Sequence, residues 1–222
     1  MPSSREQNSN TLSRKARERN ARQQEIMVAA RELFTLKGFH NTTLEEIASH
    51  AGFGKGTIYN YFSSKEELFY GIIDRLAEDT FTVAQAAVRA SGGNAREQLA
   101  AYADAMISHA RENAHLFNLI MRETSYLNSE KYESKIAEIH KRTQKIWVTL
   151  ARPITREIRA GTIGPSEPLW LAAMFDGMVR IYCMMKFGAI QQWPPERSGA
   201  ENPGAMIVSI FFDGVTRRKR KV

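Results

Sequence analysis

Cysteine is almost missing from this chain. The one thiol, Cys183, excludes an internal disulfide framework and any CxxC metal site. It lies in an apolar stretch, where a thiol serves as a small core residue rather than a redox sensor. Histidine is also scarce: His40, His50, His109, His115 and His140 include no pair spaced i, i+4 for holding a metal. The GxSxG, P-loop, GxGxxG and HExxH patterns do not occur, so no catalytic constellation is legible and neither a metal nor a cofactor is expected. No apolar run reaches the ~18 residues of a membrane span, and residues 1–20 lack the apolar centre of a signal peptide. A cytoplasmic protein that is not an enzyme is the expectation.

What is present is a chain of 222 residues with 43% hydrophobic content, enough for one large or two small cores. Its net charge of +7 is unevenly placed. Residues 1–65 hold ten Lys or Arg against six Asp or Glu, residues 66–216 hold sixteen against eighteen, and the last six residues add five more cations. Positive ends flank a slightly acidic middle, which suits a polyanion-binding head joined to a domain that need not touch nucleic acid. Two solvated charged tails have the same composition.

Apolar periodicity is helical throughout. Residues 1–16 form a polar, then basic, segment expected to be a mobile arm, with Arg14, Lys15, Arg17, Arg19 and Arg22 placed to lie along phosphates or simply to begin a helix. Ile26, Ala29, Ala30, Leu33 and Phe34 mark a first helix over about 17–37, ended by Gly38. Later helices are predicted over about 65–90, 95–111, 130–160, 166–187 and 204–217, with a short apolar piece at 115–122 and a turn at 123–129. Pro153 is expected to kink or divide the helix that contains it, and Ser166 to cap the next. The last two helices are apolar on more than one face and so need cover from more than one side, most simply from a second copy.

Residues 38–68 carry the densest signal. Thr43 and Glu46 have capping-box spacing at a helix start, Leu44, Ile47, Ala48 and Ala51 share one face, and Gly52 breaks the helix. A second short helix over about 55–62 buries Ile58 and Phe62, and Ser64 with Glu67 caps another. Two packed helices joined by a glycine-containing turn form a helix-turn-helix, whose second helix enters the major groove. Thr43 and Lys65 stand at helix starts, where side chain and backbone donors suit phosphate oxygens. Gly56 permits close approach. Tyr59 and Tyr61 cannot both point inward and are assigned to positioning on phosphates, whereas Lys55, Thr57 and Asn60 are assigned to base reading.

Gly38, Phe39, Thr42, Thr43, Leu44, Ile47, Ala48, Ala51, Gly52, Phe53, Gly54, Gly56, Ile58, Tyr59, Tyr61, Phe62, Ser64, Lys65 and Leu68 fall in register with the N-terminal pattern of the TetR family of transcriptional regulators, which this third of the chain closely resembles. Tyr61 stands where the family often has His. The resemblance implies an all-α protein of about nine helices. A three-helix DNA-binding head at 17–66 would be followed by a ligand-binding and dimerisation domain at 67–217 and a basic tail at 218–222. It implies a homodimer through the last two helices and a helix over 65–90 that links ligand site to reader.

Function then reads as a repressor released from a double-stranded, palindromic DNA operator by a small, largely apolar effector. The alternative is a constitutive DNA-binding protein or activator without an inducer. Met106, Phe117, Met121, Arg122, Tyr126, Trp147, Phe175, Met178 and Tyr182 are candidates to line the effector site, because thioethers and aromatic rings adapt to varied apolar shapes. The same stripe suits an ordinary core. His109, Glu123, His140, Asp176 and Arg180 add polar groups, with Asp176 and Arg180 at ion-pair spacing.

Overall fold

The computed structural model describes residues 4–127, 133–188 and 202–215, with side chains described for these except 4–13, 124–127 and 215. Among the described residues there are nine helices and no strand: α1 (Ser4–Lys37), α2 (Leu44–His50), α3 (Lys55–Tyr59), α4 (Lys65–Ala90), α5 (Ala95–Glu112), α6 (Ala114–Leu127), α7 (Glu133–Arg159), α8 (Pro168–Phe187) and α9 (Pro203–Val215). They divide into two compact units, with the division falling inside α4 between Ile73 and Asp74 rather than at residue 66.

The first unit is built on one face of α1. Ile26, Ala29, Ala30, Leu33 and Phe34 are buried there, as the helical period requires, together with Leu44, Ile47 and Ala48 of α2, Ile58 of α3, and Leu68, Phe69 and Ile72 of α4. Phe34, Phe39 and Phe69 meet with ring centroids 5.1–5.8 Å apart, in the tilted and edge-on geometries that aromatic quadrupoles favour. Gly38 (φ 82°) and Gly52 (φ 75°) supply the left-handed residues that end α1 and turn α2 toward α3.

The second unit surrounds a core of Leu99, Tyr102 and Ile107 from α5, Ile146, Leu150 and Ile154 from α7, Phe175 and Val179 from α8, and Phe211 from α9. Asp176 is 2% exposed at its centre. Its carboxylate accepts from the Tyr102 hydroxyl, from Trp147 Nε1 at 2.9 Å and from Arg180 Nε at 2.7 Å, joining α5, α7 and α8. Burial first, then the charge of Asp176, pushes the Tyr102 hydroxyl well above the usual tyrosine range, so it remains a donor. Nearby, burial pushes the Cys183 thiol up to about 11, consistent with an unreactive core residue. On the rim, Arg142 of α7 bridges Asp74 and Glu78, one turn apart on α4.

Several boundaries differ from the sequence reading. The first helix starts at Ser4, not near residue 17, so the basic residues assigned to a mobile arm are helical; they are polar all round, which apolar periodicity cannot register. The segment expected to turn at 123–129 continues α6 to Leu127, and Glu123, buried in the first unit, lies 3.2 Å from His40. Pro153 sits within an unbroken α7, where its burial beside Leu150 and Ile154 offsets the missing N–H. The cap of α8 is Glu167, which accepts from the Trp170 amide at 2.7 Å, and not Ser166. The Pro-rich linker lies mostly, and the basic tail wholly, outside the described residues.

Asp176→Ala removes the acceptor of two largely buried donors, and we expect it to lower unfolding free energy by about 2–4 kcal/mol. A urea titration followed by circular dichroism would measure this; an unchanged midpoint would mean that the three-helix junction is not held by this carboxylate.

Candidate nucleic-acid interface

The helix-turn-helix begins with the predicted capping box. Thr43 Oγ1 accepts from the Glu46 amide at 3.2 Å, and the Thr43 amide donates to Glu46 Oε2 at 2.9 Å. Lys37 closes on the same Glu46 at 2.9 Å, tying the end of α1 to the start of α2. At the start of α4, Ser64 Oγ accepts from the Glu67 amide, while Glu67 reaches back to the amide of Ser63, not Ser64, at 2.8 Å.

Lys65 has a more inward role than the sequence suggests. Its ammonium donates to the carbonyls of Phe39 (2.7 Å), His40 (3.2 Å) and Thr42 (2.8 Å) and lies 4.6 Å from the Phe39 ring centroid. An ammonium has three N–H donors. All three are engaged in closing the turn between α1 and α2, so this side chain orders the head before any phosphate arrives. Thr42, 1% exposed, donates its hydroxyl to the Gly38 carbonyl at 2.8 Å in the same turn.

On α3, Ile58 is the buried residue; Lys55, Gly56, Tyr59 and Asn60 are exposed and Thr57 half-buried. The helix ends at Tyr59, with Asn60 as its C-cap, rather than at residue 62. A Cβ on Gly56 would meet nothing within 4 Å, so the backbone there is bare on its outer side. Lys55 Nζ and the Tyr59 hydroxyl both reach Glu45 of α2, each at 2.9 Å. Hydrogen bonds from Lys55, from Glu45's own backbone amide and from Tyr59, in that order, hold the Glu45 carboxyl down to about 2. Tyr61 is half-buried and lies beneath the Arg19 guanidinium, 5.8 Å from its ring centroid.

Beside α3, Lys15, Glu18, Arg19 and Arg22 of α1 join Asn60 and Tyr61 around an open groove of about 220 Å³. Glu18 is paired with Arg14 at 2.9 Å, which leaves the groove's own lining basic on balance. The structure therefore places the expected readers Lys55 and Thr57 on one short helix with Asn60 at its C-cap, and sets the basic part of α1 next to Asn60 and Tyr61. The sequence reading missed Glu45. No local pattern connects residue 45 with 55 and 59, because they meet only after α2 and α3 pack.

The effector candidates are more scattered. Met106 and Phe175 are buried in the second core, against which Trp147, Met178 and Tyr182 pack; Phe117 faces His109, and Met121 (58% exposed) and Arg122 lie at the surface. The side chain of Tyr126 is outside those described. His109 is 9% exposed, with Nε2 3.2 Å from the Thr80 hydroxyl, which itself donates to the Leu76 carbonyl. Nε2 therefore carries the proton, and burial holds the ring below its ordinary value. Among the described residues, no group of three His, Cys, Asp or Glu is placed to hold a metal, and no helix is long and apolar enough to cross a membrane.

Replacing Lys65 by Ala or Met opens the α1–α2 turn, and we expect a loss of about 1.5–3 kcal/mol in stability with roughly equal weakening on specific and random DNA. Thermal denaturation alongside binding titrations checks this. Unchanged melting with weaker DNA binding would return Lys65 to a direct phosphate role.

Comparison with known proteins bears on the segment that holds these helices and on the fold. Residues 26–71 match the family model for bacterial regulatory proteins of the tetR family. The HTH-type transcriptional activator FasR of Mycolicibacterium smegmatis is 28% identical over 118 residues, which is 53% of this chain and 53% of FasR, so the match spans about half that protein's length. A TetR-family regulator from Mesorhizobium loti shares the fold with a TM-score of 0.69 and 22% identity over 89% of this chain and 98% of its own. AibR, solved with isovaleryl coenzyme A and operator DNA, has a TM-score of 0.61 and 22% identity over 86% of this chain and 98% of its own. Residues 26–71, which hold the capped helix-turn-helix and α3, thus match the tetR family of bacterial regulatory proteins, and the chain shares the helical fold of solved TetR-family regulators.

Proposed function

We propose that this protein is a cytoplasmic, homodimeric repressor that leaves a palindromic operator when a small, largely apolar effector binds its second unit. The observation that carries the DNA half of this reading is the set of Lys55 and Thr57 on α3 with Asn60 at its C-cap, flanked by the basic groove of α1. Lys pairs with guanine acceptors and Asn with adenine in the major groove, while Lys15, Arg19 and Arg22 supply sequence-independent attraction to phosphate. Thr43 and Tyr61 border this surface as positioning groups.

Pairing of two copies is supported by α8 and α9. Trp170 (72% exposed), Met174 (61%) and Ile181 (55%) run along α8 with Gly177 between them, and Met206 and Ile210 of α9 are also exposed. On α8 these are steps of four, three and four residues, one stripe of a helix. Large apolar side chains in such a stripe are a signature of a protein interface, and two copies joined there present two α3 helices. Effector binding rests on Met106, Phe117, Trp147, Phe175, Met178 and Tyr182 in and around the second core, and on the existence of a neighbour of the same fold holding an acyl thioester and DNA together. The effector must bind the DNA-incompetent state more tightly; a coupling of about 1–3 kcal/mol changes DNA affinity some 5- to 150-fold. An activator is the second reading, favoured by the FasR likeness.

Selection of bound duplexes from random DNA should enrich two inverted half-sites about one helical turn apart. A single unrepeated site would contradict the dimeric reader. Deleting the gene should raise transcription from the selected operator, and a fall would establish the activator instead. Met174→Glu combined with Ile181→Glu should convert dimer to monomer by sedimentation and weaken operator binding by ten-fold or more, whereas a variant that stays dimeric would remove α8 from the interface.

A further inference from the structure

Glu45 places a carboxylate on the very surface that approaches DNA. A negative charge there repels phosphate, so its presence needs a compensating purpose. The Lys55 ammonium and the Tyr59 hydroxyl meet it, each at 2.9 Å, and both residues belong to the helix that carries the base readers. The Glu45 side chain is 40% exposed and that of Lys55 is 70% exposed, so the pair stands at the open surface, within reach of a nucleic acid.

An unpaired lysine is a compact, hydrated point charge on a flexible stem, and any phosphate oxygen satisfies it. Contact of that kind supplies affinity without sequence information. Pairing with Glu45 offsets the ammonium's charge toward phosphate, and with one donor fixed on the carboxylate the other two can meet the two acceptors of guanine, O6 and N7, in the major groove. Tyr59 donates its hydroxyl proton to Glu45, which leaves the lone pairs of that oxygen as acceptors.

We propose that Glu45 is a specificity-determining positioning residue: it withholds Lys55 from phosphates and aims Lys55 and Tyr59 at base edges. Its carboxyl, ionised over the whole physiological range, performs this role without titrating. Glu45 therefore lowers affinity for random DNA while preserving affinity for the operator. Specificity here comes from suppressing the wrong complex as well as from favouring the right one.

The test uses the full-length chain, the best duplex from the random-DNA selection, and a scrambled duplex of equal length, each titrated from about 50 to 200 mM salt. Glu45→Gln keeps the side chain's size and removes its charge. The expected result is tighter binding to scrambled DNA, a salt slope steeper by roughly 0.9 per DNA-bound subunit, and an operator-to-scrambled ratio reduced about ten-fold. In the Lys55→Ala background the same substitution should change slope and ratio by markedly less than it does with Lys55 present, because the larger part of the effect passes through Lys55. Glu45→Asp, which restores the charge, should recover much of the ratio. Equal weakening on both duplexes with an unchanged slope would overturn the proposal, and so would a Glu45→Gln effect of the same size with and without Lys55. Thermal denaturation of each variant identifies a folding defect, which would shift both duplexes together and count against the assigned role.

Discussion

Helices of seven and five residues cannot sustain themselves in water, because nucleation fixes several backbone angles for each early hydrogen bond. The reading surface depends on overcoming this. Here α2 and α3 are held from outside, by the Thr43–Glu46 box, the left-handed glycines at 38 and 52, the apolar face of α1, and an ammonium from α4 that gathers three carbonyls of the α1–α2 turn. The reader is thus a fixed surface whose rigidity comes from its neighbours. Residues that look available for DNA divide into those that hold this surface in place and those it presents.

Lys65 and Glu45 illustrate the division from opposite directions. Lys65 has the residue type of a phosphate contact, yet its donors point into the protein. Glu45 has the wrong sign for a DNA contact, yet Lys55 and Tyr59 of α3 both reach it. Charge alone reveals neither set of partners; the hydrogen bonds do. In the second unit Asp176 has a related place, a buried carboxylate whose cost is offset by three donors from three helices, and it fixes α5, α7 and α8 to one another.

The helix-turn-helix was legible in the sequence because it is a local device. Capping residues, positive-φ glycines and an i, i+3, i+4 apolar face are all written within a few residues of where they act, and Leu44, Ile47, Ile58 and Phe62 are buried as their spacing implies. The Glu45–Lys55–Tyr59 contact and the Lys65 cage span ten to twenty-six residues and exist only once helices pack, so no window of sequence contains them. The start of α1 was hidden for another reason. A helix polar on every face has no apolar period, and residues 4–16 read as an arm although they are helical. Glu123 shows the converse, a polar residue in an apparent turn that proves to be buried against the head. Effector candidates were drawn from a stripe of Met and aromatic residues that serves core packing equally well, so sequence could name them without ranking them.

Lysine reactivity measures most directly the separation of holding groups from presented ones. Acetylation of the full chain, with and without its selected operator, should leave Lys65 unreactive in both states. Lys15 and Lys55 should react in the free protein and be protected by DNA. A Lys65 that reacts readily when free and is protected only by the operator would contradict the account at its centre, since the ammonium would then belong to the DNA and not to the fold.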